Sequence, residues 1–446
     1  MNKSIIFPFF LLFAFNTDAK IYDGSDISGI EKLVETHLDS TKWRGKEAWR
    51  TNAEQRIELL RKRRVTVLVN DTDGNAVSGA IVGAKLIQHE FEFGTVFDVR
   101  QFNRVRDVIR NFGNQIGFSN ALKYKWKDKL GGLAAEPMEW ANNNGVTVRG
   151  HTLIWPGWKH MHADALPYRK VDDKEGLKRF VDNQIIEAAS KWDVMAWDVI
   201  NEPLDNQDLQ PVLGPDAMAH WFRLAAANRR NPNATLYINE NRIISAPARQ
   251  RDRIPRFIDT IDSILSAGGP IEGIGVQARF RTDDIKPEEV YARLDRLGVF
   301  GLPIVATEFE IVDTRPKFAP SDFRRAEMTE NYMTILFSHP RVNGIVAWTL
   351  LNKLSKRSRS GDKAQNIPDN RGLLNWDSSV PLNGKIWLHL INKRWHTDVK
   401  TTTDVQGVSE IFGFKGFYII SITNGSKTEQ RLIKIDDQKD KHILVI

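Results

Sequence analysis

The chain has 446 residues, of which 41% are hydrophobic and 27% charged, with a formal charge of +7. That balance excludes a largely disordered chain, and the length suffices for one large domain and a smaller accessory one. The absence of cysteine excludes thiolate nucleophiles, cysteine metal ligands and disulfides; a modest positive charge without interleaved basic and aromatic residues predicts no nucleic-acid partner.

Lys3, an apolar run from Ile5 to Phe15 and the small residue Ala19 read as a secretory signal peptide over residues 1–19. The run is too short to cross a bilayer. The expected location is therefore secreted, extracellular or periplasmic, with no membrane partner. Residues 20–91 should hold a helical segment at 28–63 and then a β element. Val65 to Val69 is a β-type run, Asp71 to Gly74 a turn, and Ala76 to Leu86 a second β-like stretch.

From residue 92 short apolar strands alternate with helical stretches. Strands are expected near 92–96, 117–122, 146–155, 194–201, 235–239, 273–277, 303–308 and 342–349. Helices are expected near 102–112, 130–143, 174–192, 216–230, 247–267, 287–298, 321–338 and 382–395. Such alternation predicts an α/β fold, a (β/α)8 TIM barrel forming a catalytic domain over 92–395. A doubly wound sheet is the other candidate, but the glycine-rich nucleotide fingerprint is missing after the first strand. Residues 396–446 return to β character, at Phe412 to Ile422 and His442 to Ile446. They are expected to pair with residues 65–90 in a small accessory β-sandwich built from the N- and C-terminal segments.

A TIM barrel carries its reactive groups at the C-terminal ends of its strands. There the fourth strand delivers Asn201-Glu202 and the seventh Thr307-Glu308. Each glutamate follows a buried apolar strand, where a carboxylate is poorly solvated unless it faces a cavity. Two carboxylates on one cleft are what glycoside hydrolysis requires, one as proton donor and one as nucleophile. Asn201 can bond a sugar hydroxyl, and His151 can bond a hydroxyl or a carboxylate. Trp155, Trp158 and Trp348 offer flat faces to a pyranose ring, although with 13 tryptophans in the chain any single one is more often core. His160 and His162 sit among residues of solvent-loop type. No His-x-x-x-His pair has an adjacent carboxylate, so neither a metal nor another cofactor is expected.

Taken together, these strand ends resemble glycoside hydrolase family 10, the β-1,4-xylanases, over roughly residues 92 to 395. The resemblance makes Glu202 the acid/base and Glu308 the nucleophile. It carries His151 and Trp155 of Gly150-His-Thr-Leu-Ile-Trp155, Asn120 and Lys123 after the second strand, and Asn201 over as sugar-binding. Gln277 of the sixth strand and Trp348 of the eighth carry over likewise. The sequence departs from the family pattern at Ser119 (usually Glu), Pro156 (usually His) and Arg279 (usually a His bonded to the nucleophile).

The expected activity is a retaining endo-β-1,4-xylanase working by double displacement, which needs carboxylates about 5–5.5 Å apart. The expected partner is a polysaccharide, xylan, and the protein is expected to act as a monomer. Arg279 and Arg281 follow the sixth strand, and Lys353, Lys356, Arg357, Arg359 and Lys363 crowd a loop at 353–363 after the eighth. These cations suit uronate branches, with Arg279 as a substrate-binding residue. A barrel β-glycosidase acting on another β-glycan, and a sugar-binding protein without turnover, remain the other readings.

Overall fold

The computed structural model describes residues 48–171, 173–247, 252–281, 285–312, 321–352, 354–357, 365–368 and 371–446. The expected signal peptide and the first part of the 28–63 helix lie outside them. Within them a helix runs Ala48–Arg61 and passes directly into β1, Lys62–Asn70. β2 spans Ile81–His89, later than expected, because a turn at Gly79 with φ +75° intervenes.

Eight strands follow: β3 (Glu92–Phe97), β4 (Gln115–Phe118), β5 (Thr147–Ile154), β6 (Ala196–Asn201), β7 (Thr235–Glu240), β8 (Gly273–Phe280), β9 (Ile304–Ile311) and β10 (Val342–Ala347). Each pairs parallel with its neighbour, and β10 closes on β3. This is the expected TIM barrel. Its strands are covered on both faces, which is why β9 is buried along its whole length, the polar Thr307, Glu308 and Glu310 included. The surrounding helices are amphipathic: Ile254, Phe257, Ile261 and Ile264 form the buried stripe of Ile254–Ser266. Pro287 and the first-turn acids Glu288 and Glu289 start Pro287–Leu297 where its free N–H groups and dipole favour them.

Several boundaries move. β4 ends at Phe118, so Asn120 and Lys123 stand on the loop beyond it, where Lys123 N–H bonds Asn120 O at 3.1 Å. The helix expected at 102–112 is two short turns, Phe102–Val105 and Ile109–Asn111. The segment expected as a loop after the eighth strand contains an antiparallel hairpin of β11 (Leu354–Arg357) and β12 (Gln365–Pro368). Lys353, Arg359 and Lys363 lie outside the described residues.

β13 (Asp398–Thr402), β14 (Val408–Phe414), β15 (Gly416–Asn424), β16 (Lys427–Ile435) and β17 (Lys441–Val445) complete two accessory sheets, ordered β14-β1-β17 and β13-β2-β15-β16. The two ends of the chain pair as expected, except that β17 runs parallel to β1. Alternate residues Val65, Val67 and Val69 on one sheet and Tyr418, Ile420 and Ile422 on the other share one apolar cluster. The first helix is tied to the barrel helix Asp322–Ser338. Glu330 receives Arg50 at 2.7 Å and Arg394 at 2.6 Å, and Arg61 bonds the carbonyls of Phe337 and His339 near that helix's C-terminus. Among the described residues no helix is long and apolar enough to cross a membrane.

Candidate active site

The backbone aims both predicted glutamates. Between its pairings with β8 and with β10, β9 advances three residues where each neighbour advances two. Glu308 occupies this bulge with φ +53°, and Glu202, the first residue beyond β6, has φ +51°. Among the described residues only Arg242 and Ser378 join them as non-glycine residues with positive φ. Left-handed backbone costs a non-glycine residue about 1–3 kcal/mol and collects where a side chain must be held in an unusual direction.

Glu202 is half-buried. Its carboxylate accepts from Gln277 Nε2 at 2.8 Å and Asn206 Nδ2 at 3.3 Å, and its backbone N–H bonds Asn239 O at 2.7 Å. Glu308 is 4% exposed and has Arg279 Nη1 at 3.6 Å from its Oε2. Burial pushes Glu308 up to about 8 against the pull of Arg279 and Lys123, while the Glu202 charge adds to the push. Burial likewise lowers Lys123 to about 8, opposed by Glu308 and Glu202. Glu308 and Lys123 therefore titrate together.

Arg279 does not simply face the cleft. Its Nε donates to Glu310 at 2.6 Å, so one guanidinium spans Glu310 and Glu308. Glu310 is 2% exposed and also has Arg371 Nη1 at 3.6 Å.

The other predicted residues gather around Lys123, and Arg279 reaches one of them, with its guanidinium 5.7 Å from the Trp348 ring. Lys123 Nζ lies 5.1 Å from the Trp155 ring and 5.6 Å from the Trp348 ring, within cation–π range, and donates to Asn120 Oδ1 at 3.2 Å. His151 meets Trp348 edge-on at 5.3 Å and precedes a cis peptide bond to Thr152. Arg149 and His151 hold Asp198, against its burial, below the usual carboxylate range. An ionised Asp198 only accepts, so His151 Nδ1, 2.8 Å away, carries the proton. Burial and Lys123 lower the His151 pKa, which keeps the ring neutral and leaves Nε2 to accept a hydroxyl. Gly150 is needed here: a Cβ would come within 2.2 Å of the Trp197 ring.

Sequence reasoning missed the residues that support this set. Asn239 links three strands: its Nδ2 donates to Asn201 Oδ1 at 2.9 Å, and its Oδ1 accepts from Thr307 Oγ1 at 2.6 Å. Asn201 is thus fixed by its oxygen, with its amide N–H₂ left to donate. A Cβ at Gly275 would lie 2.6 Å from that Asn239 oxygen. Polar residues inside otherwise apolar strands, Arg149, Asp198, Asn239 and Glu310, were the available signal. His160 is not a solvent-loop residue but stacks on Trp155 at 3.4 Å, and His162 is buried against Asp128 and Asp164. Trp158 packs against the core.

A TIM barrel with two strand-end carboxylates beside indole faces is an arrangement suited to cutting glycosidic bonds. The model of glycosyl hydrolase family 10 matches residues 84–375, and the chain belongs to that family. An anti-sigma-I factor, RsgI6, of Acetivibrio thermocellus is 29% identical over 381 residues, covering 83% of this chain and 46% of that protein. Endo-1,4-beta-xylanase 1 of Arabidopsis thaliana is 25% identical over 404 residues, covering 88% of this chain and 40% of that protein. The chain thus spans less than half the length of each of these two relatives. A GH10 endoxylanase from a sugarcane soil metagenome superposes with a TM-score of 0.56 at 18% identity, covering 68% of this chain and 97% of that one. Xylanase 10B of Thermotoga petrophila in complex with xylobiose gives 0.55 at 18% identity, covering 68% and 95%. These two share the fold.

Proposed function

We propose that this chain is a retaining endo-β-1,4-xylanase, with Glu308 as nucleophile and Glu202 as acid/base. The observation that carries this reading is the pair of left-handed glutamates, Glu202 just beyond β6 and Glu308 in the bulge of β9, one half-buried and hydrogen-bonded by Gln277, the other buried beside Arg279 and Lys123. In the first step a Glu308 carboxylate oxygen attacks the anomeric carbon while Glu202 gives its proton to the departing glycosidic oxygen. In the second, Glu202 takes a proton from water, the water oxygen attacks the same carbon, and Glu308 leaves as carboxylate. Lys123 and Arg279 oppose the burial that pushes Glu308 up to about 8, and so favour the ionised form that the first step needs. His151, Asn201, Asn120 and the faces of Trp155 and Trp348 hold the sugar. Residues 1–19 would direct the chain out of the cytoplasm.

The test is product analysis on xylans, β-glucans and mannans. Release of xylo-oligosaccharides with retained anomeric configuration supports the reading; preferential cleavage of glucan or mannan, or inversion, overturns it. One observation favours a second reading, a saccharide-binding protein without turnover: a relative of this chain is named as an anti-sigma factor rather than an enzyme. Binding of xylohexaose with no product after prolonged incubation would decide for that reading.

A further inference from the structure

Glu202 also lines a cavity of about 270 Å³ whose charged lining is Arg242, Arg279, Arg281 and Arg371 with Glu202 and Glu310, and Arg279 reaches to within 5.7 Å of the Trp348 ring. The arginines come from separate places: after β7, on β8, after β8, and after the β11–β12 hairpin. The fold, not a run of sequence, concentrates them. Among the described residues two of the acids here are each shared between two arginines. Glu310 is shared by Arg279 and Arg371, and Asp205 is shared by Arg242 at 2.7 Å and Arg253 at 2.8 Å. Arg281 is exposed and has no ion pair among the described residues. When Glu202 carries the proton it donates, one further negative charge is removed from the wall.

A neutral sugar does not call for this lining. The rim at β10, β4 and β5 offers indoles, an amide, an imidazole and one lysine. Guanidinium forks match carboxylates in two-point hydrogen bonding. Glu202 forms part of the wall, and the proton donor faces the departing sugar, so the cavity lies on the leaving-group side. We propose that it binds the carboxylate of a uronic acid branch on the sugar unit that leaves, which makes Arg281 and Arg371 determinants of specificity. This rests on the xylanase reading.

The experiment compares kcat/KM of the full chain on a glucuronoxylan before and after chemical reduction of its uronic acids to neutral sugars of the same shape. The expected preference for the acidic form is about tenfold or more, the scale of one charge-assisted hydrogen bond. Arg281→Gln and Arg371→Gln should each lower that ratio, and added salt should lower it in the unmodified protein. Equal turnover of the two forms, or faster turnover of the reduced one, overturns the carboxylate site and leaves the xylanase reading standing. Turnover of neither form, with folded protein by circular dichroism, overturns both.

Discussion

The two arcs of the cleft rim differ in what they can recognise. From β10 through β3 and β4 to β5 the rim offers Trp348, Asn120, Lys123, His151 and Trp155, with one cation flanked by two indoles. From β6 to β9 it offers Gln277, Asn241 and arginines. Flat apolar faces suit a pyranose ring by shape, almost without regard to charge, whereas guanidinium groups suit carboxylates. The glutamates sit where the arcs meet: Glu202 opens into the arginine cavity, and Glu308 feels a cation from each side, Lys123 and Arg279. The comparison teaches that one scaffold sets indole faces and guanidinium groups on different strands, with the two glutamates between them and a single contact, Arg279 over the Trp348 ring at 5.7 Å, joining the arcs.

The largest effect should come from removing the junction itself. Glu308→Ala should cost about 10⁴-fold or more in kcat/KM on xylan and on aryl xylobiosides alike, because no nucleophile remains. Binding of xylohexaose by calorimetry should survive. Glu202→Ala should cost about 10²–10⁴-fold on xylan, and far less on a dinitrophenyl xylobioside, whose leaving group needs no proton. Equal losses on the two substrates would place Glu202 outside the acid role.

Smaller effects separate the arcs. Trp348→Ala should lower kcat/KM on neutral xylotetraose by about tenfold through lost ring contact, with the acidic-to-neutral ratio on glucuronoxylan unmoved. A shift of that ratio would join the two arcs. Arg279→Gln should move a pH profile. In the proposed mechanism Glu308 reacts as carboxylate, so kcat/KM should rise with pH as it loses its proton. Arg279 lowers the Glu308 pKa, so removing the cation raises it and should carry the acidic limb to higher pH, by about one unit. A limb that stays in place would show that Arg279 serves Glu310 alone.

The aromatic arc was legible in the sequence and the arginine arc only in part. Trp155, His151 and Trp348 stand in short motifs at strand ends, where strand counting suffices to place them. Arg279 and Arg281 were legible for the same reason. Arg242 and Arg371 were not, because what brings them to Glu202 is barrel closure and a segment more than 60 residues downstream of Glu308. The barrel itself could be read from the alternation of apolar runs. The bulge at Glu308 could not, since an extra residue in one strand is visible only against its neighbours' register. Asn239 escaped because an amide at a strand end reads as a turn until Asn201 and Thr307 are seen beside it.

The most direct test of the account is to trap the first intermediate. The protein is incubated with a 2-deoxy-2-fluoro xylobioside carrying an activated leaving group, digested and mapped by mass spectrometry. The account predicts one fluorosugar ester, on Glu308. A label on another carboxylate, or turnover with inverted configuration and no label, would contradict it.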